Sequence, residues 1–438
     1  MLNPRRPYTL LLWLLLPYIF LRLIWRARKQ PEYLRHIGER FGFSSLHDVK
    51  LLSGRLSDKP VIWLHAVSVG ETRATQSLVA RLRAIYPHHQ ILLTHTTPTG
   101  RAASQQLYGD SVLRMYLPYD YPFAVNRFLR QFRPQLGILM ETEIWFNLIH
   151  ACHETGVPLL LLNARMSENS ARGYARFAQL ILNALNELTA VAAQTADDAS
   201  RLTKLGAKEV SVMGNLKFDI VPPPAMLESG KLLHERFGEN RRIFLAASTR
   251  EGEEALLLDA MKDLHIPDLL LVIVPRHPQR FTEVASLIEQ RGLPFLRRSA
   301  NLAVPEKIQV VLGDSMGEMF AYYAAADLAF IGGSLLPYGG QNLIEACAVG
   351  TPVLVGPHTS NFAEATRLAI DAGAALQLGD VAGLIGELQH LLDDPVALNK
   401  MRQQCAGFVE RNRGATDKSL QIITALISLN RDRPETAT

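Results

Sequence analysis

From about residue 60 the chain alternates short, continuous apolar runs with longer stretches of amphipathic helical spacing. VIWLHAV (61–67), ILLTHTT (91–97), LGILME (136–141), PLLLLNA (158–164), AVAAQT (190–195) and VSVMGN (210–215) are each bounded by polar or turn residues. Such runs predict strands buried on both faces, and the helices between them predict parallel pairing, because a crossover helix covers each face of the sheet. The rhythm stops at Val221-Pro222-Pro223-Pro224. Three consecutive prolines predict a semi-rigid connector. A second series follows: IFLAAST (243–249), LLLVIVP (269–275), IQVVLGD (308–314), DLAFIGGS (327–334), TPVLVGP (351–357) and AALQLGD (374–380). The pattern therefore predicts an α/β chain of two doubly wound domains joined near residue 222. Ligands of such sheets bind beyond the carboxyl ends of the strands, so the facing loops are expected to make an interdomain cleft.

Ahead of this body lies a different pattern. Thr9 to Leu21 is unbroken apolar sequence, extended through Leu23, Ile24 and Trp25 if Arg22 snorkels. The run is short for a span of about twenty residues, which predicts one interfacial or barely spanning helix with Trp13, Tyr18 and Trp25 at headgroup level. No small-x-small cleavage site follows, so an uncleaved anchor is favoured over a signal peptide. Arg22, Arg26, Arg28 and Lys29 after the run, against Arg5 and Arg6 before it, favour a body on the cytoplasmic side.

Composition narrows the class. At 438 residues with 48% hydrophobic and 20% charged, the chain is long enough for two or three cores and is neither collagenous, disordered nor a disulfide scaffold. The net charge is +4, but residues 1–40 alone carry eight basic and two acidic side chains, leaving 38 basic against 40 acidic in the remainder. Basic excess beside an apolar terminus points to a membrane surface and away from nucleic acid. Cys152, Cys347 and Cys405 are odd in number and far apart, fitting core or surface thiols in a reducing cytoplasm.

Several strand ends carry chemistry. Ser68-Val69-Gly70-Glu71 follows the first strand, and Glu71 at a helix start reads either as a general base or as an ordinary first-turn acid. Glu141-Thr142-Glu143-Ile144-Trp145 places two carboxylates beyond another strand, to divide acid and base roles or to serve as a helix-start residue (Glu143) and a backbone acceptor (Glu141). Arg276-His277 and Gly214-Asn215-Leu216-Lys217 supply cations suited to phosphate or carboxylate. Gly313-Asp314-Ser315-Met316-Gly317-Glu318-Met319, Gly332-Gly333-Ser334 and Gly339-Gly340-Gln341-Asn342-Leu343-Ile344-Glu345 read together as a nucleotide pocket, with Glu345 placed to accept from ribose hydroxyls. A Walker A sequence and a post-strand G-x-G-x-x-G are both lacking, which counts against ATPase and dinucleotide oxidoreductase. His88-His89 reads as a solvated pair, and His65 and His95 as satisfied strand residues, so no metal is expected.

WLHAVSVGE, METEIWFN, NARMS, GNLKFD, VPRHP, GDSMGEMFAYYAAADLAFIGGS and GGQNLIEACAVGTPVLVGP, in this order behind a basic apolar N-terminus, strongly resemble the 3-deoxy-D-manno-octulosonic acid (Kdo) transferases of Gram-negative bacteria. The resemblance spans about residues 15–420. It implies a glycosyltransferase B fold that takes Kdo from CMP-Kdo to the lipid A precursor (lipid IVA) in lipopolysaccharide inner-core biosynthesis. Transfer is expected to invert the anomeric centre, without metal or cofactor, at the cytoplasmic face of the inner membrane. Carried over by motif, Glu71 is the expected proton acceptor, and Glu141 and Lys217 the expected transition-state stabilisers. Pro275, Arg276, Met316, Gly317, Glu318, Asn342, Leu343, Ile344 and Glu345 form the expected CMP site. The implied domains are an anchor (1–40), an acceptor-binding Rossmann-like domain (41–221), a linker (222–240) and a CMP-Kdo-binding Rossmann-like domain (241–438), whose last helix is available to pack back on the N-terminal domain. Two departures, Phe146 where many members have Pro, and Gln341-Asn342-Leu343-Ile344-Glu345 where they have His-Asn-Pro-Leu-Glu, sit beside motif carboxylates without replacing them. The competing readings are another nucleotide-sugar enzyme of the same architecture, such as an epimerase or a different lipid-sugar transferase, and a tethered solute-binding protein, which the charge bias at residues 22–29 opposes.

Overall fold

The computed structural model describes residues 4–28, 30–43, 59–261, 264 and 266–431. Lys29, counted above among the charges after the apolar run, lies outside them. The chain divides into two compact units, Met1–Asp219 with Arg413–Thr438, and Ile220–Asn412.

The first unit holds a seven-stranded parallel sheet: β1 (Val61–His65), β2 (Gln90–His95), β3 (Leu113–Tyr116), β4 (Pro134–Met140), β5 (Leu159–Ala164), β6 (Ala190–Ala193) and β7 (Val210–Val212), in the order β3-β2-β1-β4-β5-β6-β7. Every residue of β1 is buried. Because side chains alternate across a strand, Val61 and Trp63 enter one core with Phe128 and Leu161, while Ile62 and Leu64 enter the other with Leu78, Val79 and Leu82. Trp63 also dictates its neighbour: a Cβ on Gly137 of β4 would lie 2.8 Å from the indole, so that position is glycine.

The second unit repeats the plan with β8 (Arg242–Thr249), β9 (Leu269–Pro275), β10 (Phe295–Arg297), β11 (Val310–Leu312), β12 (Leu328–Ile331), β13 (Val353–Val355) and β14 (Ala375–Gln377), all parallel, in the order β10-β11-β9-β8-β12-β13-β14. The predicted doubly wound sheets are thus present in both units. Two strands lie outside the predicted set, β3 and β10. Both are edge strands carrying an arginine (Arg114, Arg297), and an edge strand needs no continuous apolar run. Several predicted strands also end early, because Gln194, Asn215 and Gly332 to Ser334 leave the sheet to form loops.

The stretch 222–240, expected as a linker, is mostly helix, Pro224–Phe237. Proline's missing N–H costs nothing in a first helical turn, so Pro224 starts this helix instead of preventing it. Leu233 and Phe237 are buried, and a Cβ on Gly230 would approach Ala324 to 2.6 Å, which marks close packing on helix Met319–Ala325. The C-terminal helix Ala415–Arg431 packs into the first unit, where Leu420, Ile423 and Ile427 join the core of Leu64 and Met213. Asp219 fastens its start by accepting from the backbone N–H of Gly414 (2.7 Å) and Thr416.

The N-terminal helix, α1 (Arg5–Ala27), is longer than its apolar run. Its 23 residues reach about 35 Å at 1.5 Å per residue, and with a mean hydropathy of 1.7 it is long and apolar enough to cross a membrane. One flank docks on the first unit: Tyr8 donates to Asp120 Oδ2 (2.9 Å), Tyr121 donates to the Leu12 carbonyl (2.6 Å), and Trp13 stacks on Phe123. The other flank leaves Leu10, Leu14, Leu21, Ile24 and Trp25 exposed.

Asp120 joins this helix to the domain. Buried at 3% exposure, it also accepts from the N–H groups of Asn147 (3.0 Å) and Leu148 (2.8 Å), capping helix Phe146–Glu154 from a distant loop. Burial pushes its carboxyl up from 3.8 to about 6, despite the opposing pull of those donors. The native state therefore binds more protons than the unfolded chain between these values, and stability falls as pH rises through about 4 to 6. All four tryptophans lie in the first unit, so their fluorescence reports its unfolding. Relative to Asp120→Asn, the wild-type chain is expected to lose on the order of 3 kcal/mol of stability across that window in denaturant titrations; parallel profiles would contradict the assignment.

Candidate active site

In the first unit the sheet order reverses direction between β1 and β4, the place where an open α/β sheet leaves a crevice at its strand ends. Just past β1, Ser68 caps the short helix Val69–Ala74, its Oγ accepting from Glu71 N–H (3.3 Å). The Glu71 carboxylate answers both neighbours, accepting from Ser68 Oγ–H (2.8 Å) and Val67 N–H (2.8 Å). Ser68 and Glu71 thus bond reciprocally across the helix start, as in a capping box but with the Val67 N–H as the backbone donor, and the acid is held in place. Glu71 is partly buried, and its pKa is raised, first by burial and then by the charge of Glu141, against the pull of Val67, Ser68 and His65.

Glu141 follows β4 directly and adopts a left-handed backbone, φ 59°, unusual for a residue with a Cβ. Its main chain bonds to the Leu162 carbonyl (3.0 Å) and Arg165 N–H (3.4 Å), while its side chain pairs with Lys217 Nζ at 3.1 Å. Lys217 sits in the 3₁₀ turn Leu216–Asp219, whose position depends on a relay of amides. Asn163, itself at φ 55°, accepts from Leu216 N–H through Oδ1 (3.1 Å). Gln194 donates to the Asn163 carbonyl (3.0 Å), Asn215 donates to Gln194 (3.0 Å), and Lys217 N–H donates to Asn215 (3.0 Å). The ends of β4, β5, β6 and β7 are thereby tied to one ion pair.

Glu143 is not a helix-start residue, since the helix begins at Phe146. It accepts from the Trp145 indole (2.7 Å) and lies 3.8 Å from His65 Nε2, a fully buried ring whose Nδ1 is held by Thr94. His95 is also buried and bonds the Ala66 carbonyl through Nδ1 (2.7 Å). Burial pushes its pKa down to about 3, so the ring is neutral and Nδ1 carries the proton it donates. His89 departs from the solvated pair expected of it: it is half-buried, with Nε2 2.9 Å from Gln135 Oε1.

In the second unit the reversal falls between β8 and β12. There the buried carboxylate of Glu253 gathers three backbone donors, Gly333 (2.6 Å), Arg250 (2.9 Å) and Leu335 (3.0 Å). A Cβ on Gly332 would lie 2.5 Å from the Ser248 carbonyl, so the loop after β12 runs against the end of β8. Pro275 ends β9, and Arg276 beyond it donates to Gln341 Oε1 (3.2 Å), bringing the VPRHP and GGQNLIE motifs together. Asn342 caps helix Ile344–Ala348 through Oδ1 to Ile344 N–H (3.1 Å) and donates to Glu345 (3.1 Å). The side chains of Leu343 and Ile344 are core. The turn Met316-Gly317-Glu318 is anchored separately: Glu318 accepts from Arg298 (3.2 Å) and Ser315, and Met316 is exposed.

Residues 35–220 match the family model described as 3-deoxy-D-manno-octulosonic-acid transferase (kdotransferase), and residues 235–407 match that of glycosyl transferases group 1. The 3-deoxy-D-manno-octulosonic acid transferase of Bordetella pertussis is 43% identical over 433 residues, covering 96% of this chain and 98% of that protein. The transferase of the same name from Haemophilus influenzae is 35% identical over 430 residues, covering 97% and 99%. This chain belongs to the Kdo transferases. A solved glycosyltransferase from Rickettsia africae, 14% identical, shares the fold with a TM-score of 0.57 over 84% of this chain and 99% of its own. The architecture is that of glycosyltransferase B enzymes.

Sequence reasoning on this Kdo transferase missed two features. Glu253 was not among the candidate residues; the available signal was Gly252 directly ahead of it at a helix start. The Asn163, Gln194 and Asn215 relay was legible only as an amide ending each of three successive apolar runs. Neither spacing shows which backbone donors those side chains meet.

The Glu71–Glu141 coupling has a measurable consequence. In Glu141→Gln, loss of the neighbouring negative charge is expected to lower the Glu71 pKa. A carboxyl-resolved NMR titration reads it directly, and an unmoved Glu71 resonance would refute the coupling.

Proposed function

We propose that this Kdo transferase moves Kdo from CMP-Kdo to lipid IVA, the lipid A precursor, in lipopolysaccharide inner-core biosynthesis, by an inverting displacement that needs no metal. The observation that carries the reading is the state of Glu71, a partly buried carboxylate fixed by Val67 and Ser68 with its basicity raised beside Glu141. A sugar hydroxyl is a poor nucleophile until a positioned base takes its proton as the new bond forms. Two of the carboxylate's roughly four lone-pair sites are engaged by Val67 and Ser68, so others remain for the acceptor hydroxyl.

The remaining roles follow from charge. At the donor carbon positive character develops while the CMP phosphate leaves with negative charge. Arg276, Lys217 and the N–H groups following Gly317 and Gly340 supply the positive field that this departure requires. The Glu141–Lys217 pair, balanced at rest, stabilises the charge separation of the transition state. Pro275 and Arg276, Met316 to Glu318, and Asn342 to Glu345 hold CMP, with Glu345 accepting from the ribose. Inversion follows from a single displacement in which the base works on the face opposite the leaving phosphate. The acceptor's acyl chains keep it in the bilayer, and α1 with its basic flank holds the enzyme on the cytoplasmic side of the inner membrane.

Incubating the purified chain with CMP-Kdo and lipid IVA and weighing the lipid product by mass spectrometry tests the whole reaction, with undiminished transfer expected in the presence of a chelator. Glu71→Gln is expected to lower kcat by about 10²–10⁴-fold while CMP binding persists. Near-normal turnover of that variant would remove Glu71 from the role of base.

A further inference from the structure

An apolar groove in the first unit belongs to no step described so far. It has a volume of about 890 Å³ and runs between the start of α1 and the helices Glu168–Ala175 and Ala178–Glu187. Its walls are built from Tyr8, Leu11, Phe146, Tyr174, Phe177 and Leu180. That volume lies within the range of small-molecule sites, and a lining this apolar with Phe177 left 66% exposed is costly unless something covers it.

Three observations say what covers it. One end lies towards the end of β1: Phe146 follows Trp145, whose indole donates to Glu143, and Glu143 lies 3.8 Å from His65. The α1 wall continues into the exposed apolar flank of that helix, with Leu10, Leu14 and Leu21 facing outward, so the groove is continuous with the surface that enters lipid. Arg176 lines the groove as well, a cation suited to a phosphorylated headgroup lying above an apolar slot. Phe146 stacks edge-on against Tyr8 at 4.9 Å and forms the floor where a domain residue and α1 meet.

We propose that this groove seats an acyl chain of the acceptor lipid, so that the enzyme measures acylation of its acceptor within its own first domain. The inference rests on the transfer reaction proposed above. An acyl chain drawn from the membrane into the groove places the attached sugar beside Glu143 and Glu71, and burial of its methylenes adds to acceptor affinity.

Gly173 gives a clean test, because it lines the groove and a Cβ there meets nothing within 4 Å. In Gly173→Trp the indole fills the slot, and Phe177→Asp, at an exposed position, places a charge in it without disturbing the core. With acceptors in detergent micelles, each variant is expected to raise KM for lipid IVA at least tenfold, and the preference for lipid IVA over its acyl-free phosphorylated disaccharide, as a ratio of kcat/KM, is expected to fall by the same factor. An unchanged KM, or equal loss with both acceptors, overturns the proposal. Binding to acceptor-free phosphatidylethanolamine–phosphatidylglycerol vesicles separates the other source of acyl chains: weakened vesicle binding with an unchanged micellar KM assigns the groove to bilayer lipid and overturns it as well. Failure of the wild-type chain to transfer Kdo at all would defeat the functional reading and remove the occupant with it, an outcome distinct from an active enzyme indifferent to Gly173→Trp.

Discussion

Carboxylates crowded at the ends of two adjacent strands repel one another, and the first domain holds them together through one ion pair. Lys217 reaches Glu141 at 3.1 Å, and with both side chains only 20% exposed the pair is screened far less than a surface bridge. Without that ammonium, Glu141 would stand uncompensated beside Glu71, whose own pKa already reflects the neighbouring charge. The placement of Lys217 is therefore the constraint from which the rest of the site follows. It comes from a turn after β7, while Glu141 comes from the end of β4, with β5 and β6 lying between them in the sheet.

Spanning that distance explains why polar side chains replace apolar ones at successive strand ends. Asn163, Gln194 and Asn215 pass hydrogen bonds from β5 to β6 to β7 and deliver the turn that carries Lys217. The left-handed backbones of Glu141 and Asn163 cost on the order of 1 kcal/mol or more each, and the surrounding bonds hold them there. The second domain solves an analogous problem differently: one buried carboxylate, Glu253, collects three N–H groups from loops after β8 and β12 and so shapes a turn rich in glycine. In the second domain this group sits where the sheet reverses direction, between β8 and β12, whereas in the first the relay runs along the ends of β5, β6 and β7.

The apolar N-terminal helix is part of the first domain's structure as well as a membrane-suited segment. Tyr8, Leu12 and Trp13 contact Asp120, Tyr121 and Phe123, and Asp120 at the same time caps the helix that starts beside Trp145 and Phe146. A single buried carboxyl thus couples the orientation of the apolar N-terminal helix to helix Phe146–Glu154.

Much of this was legible in the residues alone. Continuous apolar runs such as VIWLHAV and LLLVIVP determined two parallel sheets, because only strands buried on both faces tolerate them, and motifs at their ends located Glu71, Glu141, Lys217 and Arg276. The edge strands β3 and β10 were not legible, since an edge carries arginine as readily as valine, and neither was the helix at Pro224, where a proline that breaks one helix begins another. Partners were also beyond reach: that Lys217 meets Glu141, that Ser68 and Val67 clamp Glu71, and that Glu253 organises the glycine turn. Periodicity along a chain reports how each segment divides itself between core and solvent, a local property. Which charged side chain faces which is decided by the strand order of the folded sheet, and only the tertiary structure sets that.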